Sequence, residues 1–338
     1  MLQHQNQTVS FTVGLFMDEQ TAEEILRRAR QEIAARQAAD IERSWSGVWR
    51  WLLPGLVSAV LLAFLAVPAP LPLKLLLAMG GVCALRPAHS FFAGVQLPIE
   101  SRMVGIYGGF MLTLLVLLAL RRLGSRRLGS RPMIGVLALF FSSMAFDGIN
   151  STLADLGLPH LYESTNLIRL LTGLLSGIAV APFLLWLLGV MAMPRGEAPA
   201  RAVIQSAWDL LVPLAVNIGF AALVVSEQAA LYYPIALMSI GGVVGVLAIV
   251  ALLVILGMGG LEGRITRVRQ IVAPGALALL IAFAMLAFTA TVRWSVTGME
   301  RYPEARAGVA VMHHACDPCP VRASACTSSC ANSAGWAT

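Results

Sequence analysis

The chain has little charge for its length. Only 12% of its 338 residues are Asp, Glu, Lys or Arg, whereas soluble domains carry about 25%. Hydrophobic residues make up 58%, so most of the surface has to face lipid or other apolar helices, and a soluble globular protein is excluded. The net charge of +6 comes from arginines between the hydrophobic runs. We therefore predict no nucleic-acid partner.

Cysteine and the common catalytic motifs are also scarce. Before the C-terminal tail the chain has one cysteine, Cys83, and it lacks the G-x-S-x-G, P-loop and H-E-x-x-H motifs of familiar soluble enzymes. The tail holds a cluster of histidines and cysteines. This cluster is compatible with a zinc site or with disulfides, or the tail is disordered. Its members are His313, His314, Cys316, Cys319, Cys326 and Cys330.

Long apolar runs fill the middle of the chain. A helix needs about 20 apolar residues to cross a bilayer. Seven segments come close to or exceed that length: 51–67, 104–120, 133–153, 168–192, 203–225, 233–258 and 271–292. Leu71–Leu85 is a further apolar stretch, and it fits either a half-helix near the outer face or part of an eighth span. We predict an all-α, polytopic transmembrane helical bundle over residues 51–293.

Basic residues are concentrated on one side of these spans. Sixteen of the 24 Lys and Arg residues lie before the first span or in the loops 121–132, 193–202 and 259–270. Because Lys and Arg favour cytoplasmic loops, we predict a cytoplasmic N-terminus and an extracytoplasmic C-terminus. Residues 1–50 are then a cytoplasmic segment with an amphipathic helix, and residues 294–338 are a poorly ordered extracytoplasmic tail.

Two further patterns concern lipid and helix packing. The loop Arg121–Arg131, RRLGSRRLGSR, repeats five residues in tandem and indicates either a site for anionic lipid headgroups or a topology anchor. Glycines at Gly173–Gly177 and Gly241–Gly245 have the spacing that lets helices approach closely. We expect this packing within the bundle, and the sequence does not indicate an oligomeric state.

Polar groups that lipid tolerates poorly are concentrated at the predicted outer side. A charge at membrane depth costs roughly 3 kcal/mol or more unless it is paired, so we expect these groups to pool. Asp147 and Arg169 are predicted to pair directly or through one bridging group. The predicted pocket consists of Glu100, Arg102, Tyr107, Asp147, Asn166 and Arg169, with His89 and Cys83 at its rim. A purely structural network would meet the same need, so pooling does not by itself imply function.

Two stretches carry a family resemblance. VCALRPAHSFFAGVQLPIESRMVGIYGGF and FDGINSTLADLGLPHLYESTNLIRLLTGLLSGIAV resemble a prokaryotic membrane-protein family, domain of unknown function 2085, over residues 80–185. The matching residues are Cys83, Ser90, Phe91, Arg102, Gly105, Ile106, Tyr107 and Gly109 in the first motif, and Asp147, Gly148, Asn166, Arg169 and Gly173 in the second. The resemblance implies a protein of the prokaryotic plasma (inner) membrane, and it implies no known activity.

The chain departs from the family pattern at its cysteines. The family's Cys-His and Cys-x-x-Cys pairs imply a metal site or a redox pair. In this chain Ala84 replaces the histidine, and Glu100 and Met103 replace the second pair. Two interpretations of the remainder stay open. Cys83, His89 and Glu100 form a divalent-metal site with mixed ligands, or they are a core thiol, an interface histidine and a partner of Arg102.

Three functional hypotheses follow from these patterns. The first is an extracytoplasmic polar pocket that binds a small polar ligand or a metal. The second is a transporter that uses Asp147 and Asp209 as stations on a path. The third is a membrane scaffold or assembly factor that uses the N-terminal helix and the loop Arg121–Arg131. The sequence does not decide whether the protein is an enzyme.

Overall fold

The computed structural model describes residues 19–44, 48–83, 85–86, 89, 96–193, 202–265 and 268–297. Nine helices run through this part of the chain. They are α1 (Glu19–Ser44), α2 (Trp49–Ala66), α3 (Leu71–Met79), α4 (Ser101–Ala119), α5 (Arg131–Asp155), α6 (Asn166–Ala192), α7 (Trp208–Val225), α8 (Tyr232–Met258) and α9 (Val272–Thr297). The predicted all-α bundle is thereby confirmed.

Seven of these helices, α2 and α4 to α9, are long and apolar enough to cross a membrane, counting only the described residues. The predicted spans agree with them to within a few residues, except that α7 begins at Trp208 and not at 203. Val203 and Ile204 instead donate their backbone N–H groups to the carbonyls of Arg127 and Leu128, at 2.8 and 2.9 Å. These bonds hold the two residues in a loop.

Helix α3 decides between the two interpretations of the stretch after the first span. It has nine residues, which cover about 14 Å at the rise of an α-helix. The hydrocarbon core is about 30 Å thick, so α3 is a half-helix and does not add an eighth span. Trp294 of α9 donates to the Leu77 carbonyl at 3.0 Å. This bond ties α3 to the C-terminal end of α9.

Helices α4 and α6 pack without side chains between their backbones. A Cβ added at Gly173 or Gly177 of α6 would collide with the backbone carbonyls of Arg102 or Ile106 on α4. Gly105 of α4 faces the Leu170 carbonyl in the same way. The predicted role of the Gly173–Gly177 pair is therefore confirmed, and the contact is internal to the bundle.

The second glycine pair needs a correction. Gly242, between the two predicted glycines, makes the close approach of α8 to the Tyr107 carbonyl. Gly241 and Gly245 face the side chains of Met111 and Phe110 instead. The reason is the rotation of α8, because a shift of one residue turns a helix by about 100°.

The arginine-bearing loops meet at one end of the bundle. Arg122 forms a salt bridge of 2.7 Å with Asp209, and the other carboxylate oxygen of Asp209 accepts the N–H groups of Gln205 and Ser206. Gly263 donates to the Met191 carbonyl at 2.8 Å. The loops that were predicted to share one side of the membrane therefore share one end of the structure.

Helix α1 confirms the predicted N-terminal helix. Every side chain of α1 that the structure describes is exposed, including Ile25, Leu26 and Ile33 at 50–55%. Residues 298–338 lie outside the described part of the chain. The interpretations of the tail and its cysteines stay predictions, as do the boundaries of the three segments.

Candidate functional site

A buried ion pair forms the centre of the polar cluster at the opposite end of the bundle. Asp147 of α5 is fully buried, and its Oδ2 accepts a hydrogen bond of 2.6 Å from Arg102 at the start of α4. Its Oδ1 accepts from the hydroxyls of Tyr162 (2.9 Å) and Ser164 (2.7 Å). Arg102 also donates to Ser151 Oγ at 2.7 Å. Thr172 Oγ1 also lies 3.3 Å from Oδ2 of Asp147. The carboxylate is thus satisfied by one cation and three hydroxyls.

Helix α4 is irregular near its start, and this irregularity affects the position of Arg102 relative to the rest of the helix. Ser101–Met103 are α-helical, Val104–Gly108 form a π-helical turn, and Gly109–Ala119 continue as α-helix. π-Helical turns are rare inside helices and occur often at functional sites. The turn changes the helical register between Arg102 and the apolar part of α4. Ser101 also donates to the His89 carbonyl at 2.7 Å, which joins α4 to the preceding loop.

Arg169, in the first turn of α6, is the second guanidinium of the cluster. It is only 7% exposed. Its Nε donates to Ser164 Oγ at 3.3 Å, and its Nη1 contacts His89 Nδ1. Because Ser164 also binds Asp147, one residue bridges Asp147 and Arg169, and their predicted indirect pairing is confirmed. Within the described part of the chain, no carboxylate lies within salt-bridge distance of Arg169.

His89 is neutral in this arrangement. The pKa of its imidazole is lowered from the ordinary value by burial and by the nearby cations Arg169 and Arg86. We assign Nδ1 as the acceptor and the proton to Nε2, because the guanidinium can only donate. A protonated His89 would place two cations in contact.

A second layer of charges forms the rim. Arg86 donates to Asp155 at 2.6 Å through its side chain and to Glu100 at 2.9 Å through its backbone N–H. The hydrogen bond to Asp155 raises the pKa of Arg86. Glu100 thus pairs with Arg86, and the alternative in which it pairs with Arg102 is wrong. The register explains the difference, because Arg102 turns toward α5 whereas Glu100 precedes the helix.

The predicted pocket residues do not all join this network. Tyr107 and Cys83 pack against the apolar core with Met103, and no hydrogen bond among the described residues links Tyr107 to Asp147. Asn166 begins α6, three residues before Arg169. Arg102, Asp147 and Arg169 are brought together, with Glu100 and His89 beside them. Ser90 and Phe91 lie outside the described residues.

The two sequence motifs thus supply both sides of the ion-pair cluster, and one family model covers them. Residues 83–183 match DUF2085. Its description is "Predicted membrane protein (DUF2085)". The resemblance derived from the sequence is confirmed over nearly the predicted range. No curated protein and no solved structure matches the chain.

Several partners in the DUF2085 segment were missed from the sequence. Tyr162 and Ser164 bind Asp147 from the loop between α5 and α6. Asn150 holds that loop, donating to the Tyr162 carbonyl at 2.7 Å and accepting the Leu161 N–H at 2.8 Å. The spacing of Asp147 and Ser151, one helical turn apart, is a signal that could have identified Ser151. The loop hydroxyls have no periodic signal.

The structure gives no support to a metal site in the DUF2085 segment. Among the described residues, no group of three or more His, Cys, Asp or Glu side chains could hold a metal ion. His89 Nδ1 is occupied by Arg169, and Glu100 binds Arg86. Burial raises the pKa of the Cys83 thiol, which disfavours the thiolate that a metal requires. These residues do not fit the metal centre that the family pattern implies.

Proposed function

We propose that the DUF2085 segment forms an extracytoplasmic site for a small polar ligand that carries an anionic group. Arg169 would bind that group, and the Arg102–Asp147 pair would hold the surrounding helices in place. The observation that carries the proposal is the charge of Arg169. It is buried, and within the described residues its hydrogen-bond partners are a hydroxyl and a neutral imidazole.

A comparison with the other arginines strengthens this argument. Arg102 has Asp147, Arg122 has Asp209 and Arg86 has Asp155 as an ion-pair partner. Removing a charge from water costs several kcal/mol per ion even in a relaxed protein, so proteins usually supply a counter-ion. A guanidinium also presents five N–H donors, of which two in Arg169 have described partners. The remaining donors suit a pair of oxygens of a carboxylate or a phosphate.

The membrane orientation that we propose places this site outside the cell. The arginine-bearing loops between the spans meet at the opposite end of the bundle, and such loops are usually cytoplasmic. The site then faces the extracytoplasmic side of a prokaryotic plasma membrane. The N-terminus is cytoplasmic, and the C-terminus lies on the side of the site.

The alternative functions have less support. A transport path would need Asp209 as an available station, but Arg122 and two backbone N–H groups occupy its carboxylate. A scaffold function would use α1, whose apolar side chains are exposed, yet nothing in the described residues identifies a partner. Among the described residues, no arrangement of nucleophile and base singles out an enzyme.

The proposal can be tested by thermal unfolding of the purified protein in detergent. We expect inorganic phosphate or succinate to raise the unfolding temperature saturably, relative to chloride at equal ionic strength. Arg169→Gln should abolish this rise, because it removes the cation. Arg264→Gln should keep it, since Arg264 is exposed at the opposite end. If neither anion stabilises the wild-type protein, or if Arg169→Gln responds as the wild type does, the proposal is wrong.

A further inference from the structure

An apolar groove lies on the outer surface of the bundle, at the end opposite the DUF2085 polar cluster. It has a volume of about 740 Å³, within the range of about 300–1,000 Å³ of pockets that hold small molecules. Ile134 and Phe141 of α5 form one wall, and Phe183 and Trp186 of α6 form the other. One of its lining residues is charged, Arg127, which belongs to the loop before α5.

The walls of the groove are exposed apolar side chains. Ile134, Phe141 and Phe183 are each 42–48% exposed. The distance from Ile134 to Phe141 along α5 is about 10 Å, which fits within one leaflet of a bilayer whose core is about 30 Å thick. The groove therefore begins at the membrane surface and extends into hydrocarbon. Its shape and chemistry suit an acyl chain.

The arginines of the repeat RRLGSRRLGSR divide into two kinds. Arg122 is committed to Asp209, and Arg126 donates to the carbonyls of Val190 and Met193 at 3.0 and 2.6 Å. Arg127 and Arg131 are exposed, and neither has an ion pair or a side-chain hydrogen bond among the described residues. The fold of the loop explains the positions of Arg122 and Arg126, but not those of Arg127 and Arg131.

Hydrogen bonds and a ring contact fix the residues at the mouth of the groove. Trp186 donates from its indole nitrogen to the Arg126 carbonyl at 3.0 Å, and its ring lies 5.6 Å from that of Phe183. Val203 donates to the Arg127 carbonyl at 2.8 Å. The backbone of Arg127 is therefore held beside the groove, while its side chain is available to a ligand.

We propose that this groove binds one anionic phospholipid, with an acyl chain between α5 and α6 and the phosphate at Arg127. A guanidinium binds phosphate oxygens in a bidentate geometry. No carboxylate lines the groove among the described residues. A choline headgroup would bring its own cation next to Arg127, whereas a glycerol headgroup would not. The site therefore selects phosphatidylglycerol over phosphatidylcholine.

Native mass spectrometry of the full chain tests this selection, with dioleoyl phosphatidylglycerol and dioleoyl phosphatidylcholine added in equal amounts. The wild type should retain the anionic lipid preferentially. Arg127→Gln should reduce that preference about fivefold, since one juxtamembrane cation contributes about that factor. Arg269→Gln is the matched control, because Arg269 is exposed at the same end of the bundle and outside the groove. It should leave the preference unchanged.

A second pair of variants tests the acyl chain. Ala138→Trp fills the groove and should weaken retention of both lipids, whereas Ala145→Trp, on an exposed position of the same helix outside the groove, should not. Equal retention of the two lipids by the wild type overturns the proposal. Wild-type retention by Ala138→Trp also overturns it. Competition by inorganic phosphate as effective as that by the full lipid would show a headgroup site alone, and would overturn the acyl-chain assignment.

Discussion

The side chains of Arg102, Arg122 and Arg169 are largely removed from solvent, and they differ in what balances their charge. The first two face carboxylates at 2.6 and 2.7 Å, whereas Arg169 contacts a hydroxyl and an imidazole. An arginine with a counter-ion stabilises its surroundings, because removing it leaves a bare carboxylate in the protein interior. Arg126 has no ion-pair partner among the described residues either, but two backbone carbonyls accept its hydrogen bonds. For Arg169 we propose that the reason for the missing counter-ion is ligand binding.

This difference predicts that the same substitution, arginine to glutamine, lowers stability by different amounts at the two positions. Arg102→Gln should destabilise the protein by about 3–5 kcal/mol, the usual cost of leaving one member of a buried ion pair unpaired. Arg169→Gln should cost about 1 kcal/mol, since it removes two hydrogen bonds to neutral partners together with an unbalanced charge. Unfolding temperatures in detergent, without added anions, measure both. A larger loss for Arg169→Gln than for Arg102→Gln would contradict the assignment.

The titration of His89 leads to a prediction of how the stability of the protein depends on pH. Because the pKa of folded His89 is lowered, the unfolded chain binds a proton more readily than the folded protein once the pH falls below about 6.5. Stability should be complete well above that pH and should decline as the pH falls below it. The slope should be smaller than the maximum of about 1.4 kcal/mol per pH unit for one proton, because His89 is partly solvated.

The variant that tests this prediction is His89→Gln, because glutamine keeps an acceptor for Arg169 but does not titrate. Its stability should not decline as the pH falls below about 6.5. His160→Gln is the control. The backbone carbonyl of Leu158 and the Glu163 carboxylate raise the pKa of His160, so His160 contributes stability that is present at low pH and is lost as the pH rises. A decline in acid that persists in His89→Gln would show that another group is responsible.

At the scale of elements, the contact between α4 and α6 organises the site. The π-helical turn Val104–Gly108 and the glycines of α6 bring the two backbones together. Arg102 lies at the N-terminal edge of the contact, where its carbonyl faces Gly173, and Arg169 lies in the first turn of α6. Their guanidiniums therefore come to the same level of the bundle. Loss of the contact should separate them.

We predict that Gly177→Ala disrupts the bundle, because its Cβ would meet the backbone of Ile106 and Phe110, which cannot move aside. The expected loss of stability is about 3 kcal/mol, the upper end of the usual cost of overpacking. Gly219→Ala, on α7, has nothing within 4 Å of the new Cβ and should be tolerated. Size-exclusion chromatography of the heated samples measures the monodispersity of both variants. Equal behaviour would contradict the contact.

At the scale of the whole molecule, the two ends of the bundle have different chemistry. One end carries the ion-pair cluster of the DUF2085 segment, and the other carries loops rich in arginine. The exposed arginines would meet anionic lipid at one surface, while the cluster would meet solutes at the other. This division supports the proposed orientation.

The orientation predicts the pattern of cysteine labelling in intact cells. Ser125 is buried at 2% exposure, but Leu123 in the same loop is 44% exposed and Leu161 at the other end is 78% exposed. In a chain whose own cysteines are replaced by serine, an impermeant maleimide should label Leu161→Cys and not Leu123→Cys. The reverse pattern would invert the topology. Permeabilised cells, in which both should react, provide the control.

Much of this molecule could be predicted from the sequence, because membrane insertion depends on local properties. Apolar length determined the seven spans, and the placement of arginine determined which loops share an end. The cost of charge in lipid identified Arg102, Asp147 and Arg169 as groups that must meet. Two spaced motifs in the right order also identified the family.

Only the tertiary structure decided which groups pair. Glu100 turned out to bind Arg86, Asp147 to bind Arg102, and Gly242 to approach α4 more closely than Gly241. Each of these depends on how far a helix is rotated about its axis, and a π-helical turn changes that rotation without a signal in the hydropathy. The division of RRLGSRRLGSR into committed and available arginines has the same origin. Its repeats are alike in sequence, and only the neighbouring helices distinguish Arg126 from Arg127.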